Sequence, residues 1–176
     1  MRKNFMIVCA AICALFAGCR GAGSTEYLEP VSGFEVEKYM GQWYEIARIP
    51  HWFEKELNNV TAFYKLERDG MVFVENRGFK PNGSVKVAKG YAYQPERGIG
   101  ILKVSFFRPF YGEYRIIYLE KDYSAAIVTS STKDYLWILS RTPEMSEVQK
   151  QRYLDFLRLR GFPLEKLQWM HWQKQP

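Results

Sequence analysis

Eight short segments rich in Val, Ile, Phe and Tyr follow one another between residues 43 and 140, each closed by turn residues. They cover 43–49, 60–67, 71–79, 84–93, 99–107, 113–120, 125–130 and 135–140. Arg68-Asp69-Gly70 closes the second, Lys80-Pro81-Asn82-Gly83 the third and Arg108-Pro109-Phe110-Tyr111-Gly112 the fifth. The connections are too short for crossover helices, so sequential segments must pair antiparallel. Eight such strands can close on themselves and remove their edges, leaving an interior just wide enough for one small ligand. The fold predicted is therefore all-β, an eight-stranded antiparallel up-and-down barrel. Strand count alone leaves a two-sheet sandwich open.

One helix follows the strands. Ser146 with Gln149 three residues on forms a capping-box pattern, and Gly161 with Pro163 marks the stop. Met145, Val148, Tyr153, Phe156 and Leu159 are expected on one broad apolar face, interrupted by Arg152, with Glu147, Asp155 and Arg158 opposite. The helix should therefore lie outside the barrel, on its wall. The apolar stretch 167–172 can add a short edge strand. Aromatic residues make up 16% of the chain, which suits both strands and the lining of an apolar pocket.

The N-terminus reads as an address. Arg2 and Lys3 precede an apolar run over 5–17, too short to span a bilayer but right for a secretory signal. It ends in Leu15-Phe16-Ala17-Gly18-Cys19, which resembles the lipobox of bacterial lipoproteins, with Phe16 departing from the usual Leu. That resemblance implies cleavage after residue 18 and acylation of Cys19; an ordinary signal peptide is the alternative. All three cysteines lie within the first nineteen residues, so one thiol survives cleavage and no disulfide can form within the mature chain. Residues 1–18 are thus expected as signal peptide, 19–33 as lipidated cysteine and tether, and 34–176 as the folded domain. Arg20 is not the Asp that retains enterobacterial lipoproteins in the inner membrane, which points to the outer membrane and its periplasmic face.

Three blocks then resemble one family. Gly41-Gln42-Trp43-Tyr44 is similar to the lipocalin signature on the first strand. Asp122-Tyr123 resembles the family's second block, between the sixth and seventh strands, and Tyr135-Leu136-Trp137-Ile138-Leu139-Ser140-Arg141 its third. The wording around 107–112 and 136–143 is similar to the bacterial outer-membrane branch, related to apolipoprotein D. The resemblance implies a calyx in which Trp43 fills the closed end and Arg141 packs across its ring, with 34–39 capping that end. Gly41, Trp43 and Arg141 are therefore expected to be structural.

Ligand contacts should come from inward positions nearer the mouth. Alternation puts Tyr135, Trp137 and Leu139 on one face of the last strand, and the parity shared with Arg141 turns that face inward. Tyr64, Val104, Phe106, Tyr114 and Ile116 are further candidates, each of which a one-residue slip would reverse. Glu45 shares parity with Trp43 and, if ionised inside, needs a partner.

Signs of catalysis are few. Only His51 and His171 are present, no His/Cys cluster remains after export, and no nucleophile elbow, phosphate loop or dinucleotide fingerprint occurs. No catalytic residue, metal or cofactor is expected. Of 25 basic residues, Arg2 and Lys3 belong to the signal, leaving 23 against 19 acidic, scattered rather than striped, so nucleic acid is not an expected partner. The expected function is a membrane-anchored carrier of fatty acids or lysophospholipids, serving lipid storage, transport or envelope maintenance under stress, with a homodimer as one arrangement. A scaffold lipoprotein with a side-chain-filled barrel, and a lipid-modifying enzyme, are the alternatives.

Overall fold

A computed structural model describes residues 28–50 and 57–172. The signal, Cys19 and His51 lie outside the described residues. In chain order the elements are β1 (Ser32–Phe34), α1 (Val36–Tyr39), β2 (Gly41–Arg48), β3 (Asn58–Leu66), β4 (Val72–Phe79), β5 (Val85–Tyr93), β6 (Gly98–Ile99), β7 (Ile101–Phe107), β8 (Phe110–Leu119), β9 (Ala125–Thr129), β10 (Leu136–Ser140), α2 (Glu147–Leu159) and β11 (Gln168–Trp169). Strands β2, β3, β4, β5, β7, β8, β9 and β10 pair with their neighbours in turn, and β10 returns to β2. The sheet is closed, so the barrel is the solution and the sandwich is not.

Two local departures have causes. The fifth segment is split at Gly100, whose N–H donates to Val31 O while its carbonyl accepts from Ile116 N. The chain entering the domain therefore intrudes there, and β6 pairs with β1 instead of with the barrel. The hairpin between β7 and β8 is also tighter than the turn residues suggest, since Phe110 to Gly112 already belong to β8.

Two apolar cores result. One fills the barrel interior; the other lies between the outer wall and α2, joining Ile46, Ile127, Leu136 and Ile138 to Tyr153 and Leu157. The capping box of α2 forms as expected, on Ser146 and Gln149. The apolar face is narrower than its spacing predicts: Val148 is 81% exposed and Leu159 77%. On the helical wheel these two lie opposite Tyr153 and Leu157, so only a narrow stripe meets the wall. Arg152 interrupts the expected face because it pairs with Glu120, whose carboxylate also accepts a 2.7 Å bond from Tyr153 Oη. The short strand expected near the C-terminus exists as β11, against Arg48 and Ala47 of β2.

Candidate functional site

The floor of the barrel is built where the three sequence blocks meet. Trp43 is fully buried and donates through Nε1 to Tyr39 O at 2.8 Å, so α1 is tied across the closed end. The Arg141 guanidinium lies over the Trp43 ring at 3.9 Å. It donates to Gln42 O at 2.8 Å, Lys38 O at 3.0 Å and Tyr123 O at 3.3 Å. Gly41 has φ +95°, and a Cβ there would stand 3.4 Å from Arg141 Nη1, so glycine suits both the backbone and the arginine. The stack of Arg141 on Trp43 beside Gly41 thus forms at the closed end.

Above the floor three tyrosines meet. Tyr39 and Tyr114 share a 2.8 Å hydroxyl contact, and Tyr64 donates to Tyr114 at 3.2 Å. Burial pushes the hydroxyls of Tyr39 and Tyr114 well above the usual phenol range, so both stay protonated. Tyr64 and Tyr114 do face inward, but in the closed half rather than near the mouth. Sequence spacing gave their face and not their depth.

The mouth half is lined differently. Trp137, Leu139 and Val104 join the interior cluster, while Leu136 and Ile138 face α2, so the parity read from Arg141 holds. Ile116 also faces inward, but β8 descends from its mouth end at Phe110, so Ile116 lies nearer the floor than Tyr114 and not at the mouth, as expected of it from sequence. Tyr135 stacks on Trp137 with centroids 6.1 Å apart. Phe106 is 37% exposed and its ring covers Gly90, where a Cβ would approach to 2.9 Å. Across the barrel, register places Ala62, Asn76 and Ala88 side by side on one face of β3, β4 and β5. Ala62 belongs to the interior cluster, so this wall carries small side chains opposite the aromatic one. Asn76 Oδ1 is buried there and accepts no hydrogen bond among the described residues.

Glu45 does face inward, and its partner is a residue that sequence reasoning missed. Leu139 pairs with Glu45 and Trp137 with Arg48, with a bulge between them at Ile46. The extra residue flips the parity of β2, so Glu45 and Arg48 both point into the barrel. Their side chains form a 2.6 Å ion pair, 3% and 0% exposed, and Arg48 also donates to Leu57 O at 2.6 Å. The bulge is held from outside by Met170 N on Ile46 O and Trp172 Nε1 on Glu45 O, both at 2.9 Å. Arg48 sits in the run Tyr44-Glu45-Ile46-Ala47-Arg48, and strict alternation would have turned it outward.

The arrangement is a closed barrel with an apolar interior and polar groups at three depths: the tyrosines, Asn76, and the Glu45–Arg48 pair near the mouth. Among the described residues no group of three or more His, Cys, Asp or Glu is placed to hold a metal ion.

Comparison with known proteins agrees with this geometry. A family model described as a lipocalin-like domain matches residues 34–172. The outer membrane lipoprotein Blc of Vibrio cholerae is 42% identical over 170 residues, covering 95% of this chain and 96% of the relative. The Blc protein of Escherichia coli K12 is 40% identical over 174 residues, 97% of each. Apolipoprotein D of Mus musculus is 35% identical over 143 residues, 76% of this chain and 75% of the relative. Among solved structures, insecticyanin from the tobacco hornworm superposes with a TM-score of 0.69 at 19% identity, covering 84% of this chain and 85% of that one.

Proposed function

The chain belongs to the lipocalin family, and from that premise we propose that it carries single-tailed amphiphiles, fatty acids or lysophospholipids, in its barrel. The carrying observation is the asymmetric interior above the tyrosines, where Trp137, Tyr135, Phe106, Val104 and Leu139 share the lumen with a wall of small residues. An acyl tail seated between these walls gains ~0.8 kcal/mol for each methylene removed from water. Arg48 and Asn76 give the headgroup end polar partners that water would otherwise supply: a cation beside a carboxylate or phosphate, and an acceptor for a hydroxyl.

The outer membrane relatives support the same address for this chain. In this reading Cys19 is acylated and the tether runs only as far as Leu28, not to residue 33 as the sequence suggests, because Leu28, Val31 and β1 already pack on the barrel. The barrel faces the periplasm, where it stores or moves lipid when the envelope is stressed. Two or more acyl chains on Cys19 would suffice for stable attachment. The reading is of a binding protein and assigns no catalytic step. Homodimerisation is compatible with this reading and is not required by it.

Native mass spectrometry of protein released gently from membranes tests the proposal. One co-purifying fatty acid or lysophospholipid per barrel is expected, removable by organic extraction and restored on addition. A barrel that neither retains nor takes up such a molecule would favour the scaffold reading.

A further inference from the structure

We infer that the hairpin joining β7 and β8 is a membrane-docking edge, which brings the barrel mouth against an anionic phospholipid leaflet. Phe107 and Phe110 pair across this hairpin and are 80% and 78% exposed. Val85 and Val87 of neighbouring β5, with Tyr111, extend the exposed apolar surface on the outer face. Strand direction puts the hairpin tip at the mouth, the end opposite the Trp43 floor. Phenylalanine placed this openly in water marks an interaction site.

Charge and area select the occupant. Residues 75–89 and 106–111 carry Arg77, Lys80, Lys86, Lys89 and Arg108 against one acid, Glu75. The Arg108 guanidinium lies over Tyr91 at 5.1 Å, which holds a positive charge beside the phenylalanines. Aromatic tips ringed by Lys and Arg suit the headgroup level of a leaflet that carries negative charge. Two phenylalanines bring roughly 150–250 Å² each, well short of the ~800 Å² per partner of a stable protein interface. A bilayer needs no such area, because it deforms around a narrow wedge.

The anchor permits this orientation. Leu28 is fixed beside β8, its carbonyl accepting from Arg115 at 2.9 Å, and Phe110 lies five residues from Arg115, about 17 Å along the strand. Nine peptide links separate Cys19 from Leu28 and reach at most about 32 Å. An acylated Cys19 and the hairpin can therefore share one leaflet. Only this orientation argument rests on the proposed anchor; the hairpin chemistry stands without it.

The mature acylated chain, carrying Phe107→Cys labelled with an environment-sensitive fluorophore, tests the inference in vesicles of phosphatidylethanolamine and phosphatidylglycerol. The label at 107 should shift to the blue, and one at Val148→Cys, equally exposed on α2, should not. The shift should weaken in phosphatidylcholine vesicles and in high salt, where the Debye length falls to about 3 Å. A Phe107→Ser/Phe110→Ser variant should keep its fatty acid affinity while transferring ligand between vesicles about tenfold more slowly, equivalent to ~1.4 kcal/mol. Identical emission at 107 and 148, or a shift that follows protein concentration without vesicles as a dimer would, overturns the inference. Fatty acid titration of the same samples separates the outcomes: retained binding without a shift removes the docking edge alone, whereas absent binding removes the carrier.

Discussion

The guanidinium of Arg141 lies 3.9 Å from the centre of the Trp43 ring and bonds the carbonyls of Gln42, Lys38 and Tyr123. One side chain thus joins the start of β2, the α1 cap and the turn between β8 and β9. Arg141→Met keeps the aliphatic stem and removes all of this. The cation–π contact contributes ~1–2 kcal/mol when partly desolvated, and each carbonyl loses a charged donor. Urea unfolding should show a loss of about 2–4 kcal/mol, with ligand affinity of the folded fraction unchanged. A fall in affinity without a fall in stability would move Arg141 from the floor to the binding site.

The Glu45–Arg48 pair should behave as a buried ion pair does. Removing one partner strands the other in the barrel, so Arg48→Met alone should cost about 3–5 kcal/mol. Glu45→Leu/Arg48→Met should recover most of that stability, since apolar side chains of similar volume replace a costly pair. The double variant should lose affinity for fatty acid anions relative to their neutral alcohols. Equal affinity for both ligand classes in wild type and double variant would take Arg48 out of headgroup recognition.

Asn76 should discriminate between headgroups. Its Oδ1 faces the lumen among Ala62 and Ala88, and a glycerol hydroxyl can donate to it where a fatty acid carboxylate cannot. Asn76→Leu should weaken lysophospholipid binding by about tenfold, the cost of one buried hydrogen bond, and leave fatty acid binding within about threefold. Calorimetric titration with both ligands reads the difference.

Acid should loosen the barrel partly through Glu113. Burial alone would raise its carboxyl, yet Lys103 at 3.0 Å and Arg115 at 2.7 Å hold it below the ordinary value of 4.5. A carboxylate lowered in the folded state contributes stability that is present above its unfolded pKa and lost as pH falls through the folded one. Glu113→Gln should therefore be less stable than wild type near neutrality, and the two should converge as pH drops below 4.5. A constant gap across that range would show that the glutamate acts through packing.

The barrel was legible because its signals are local. Turn residues mark each strand end, and alternation on β10 fixes the inward face through Arg141. Depth and parity were not legible to the same extent. Arg48 was missed because the bulge at Ile46 flips the strand, and the contacts holding that bulge come from Met170 and Trp172, more than a hundred residues away. Tyr64, Tyr114 and Ile116 lie deeper than sequence predicts because a strand's pattern does not say how far along the barrel each residue sits. Val148 and Leu159 face water despite their apolar spacing, because spacing on a helix does not show how narrow its contact stripe is. The exposed Phe107 and Phe110 look in sequence like any buried aromatic pair; only the closed barrel reveals that they face water.

The central claim is that an acyl tail lies against Trp137 inside the barrel. Titrating delipidated protein with a fatty acid brominated in mid-chain measures this contact directly, because bromine quenches only tryptophans it touches. The account predicts saturable quenching at one ligand per barrel, displaced by lysophospholipid. Most of that quenching should vanish in Trp137→Phe while calorimetry still reports binding. Absence of saturable quenching in the wild-type protein, or unchanged quenching in Trp137→Phe, would contradict it.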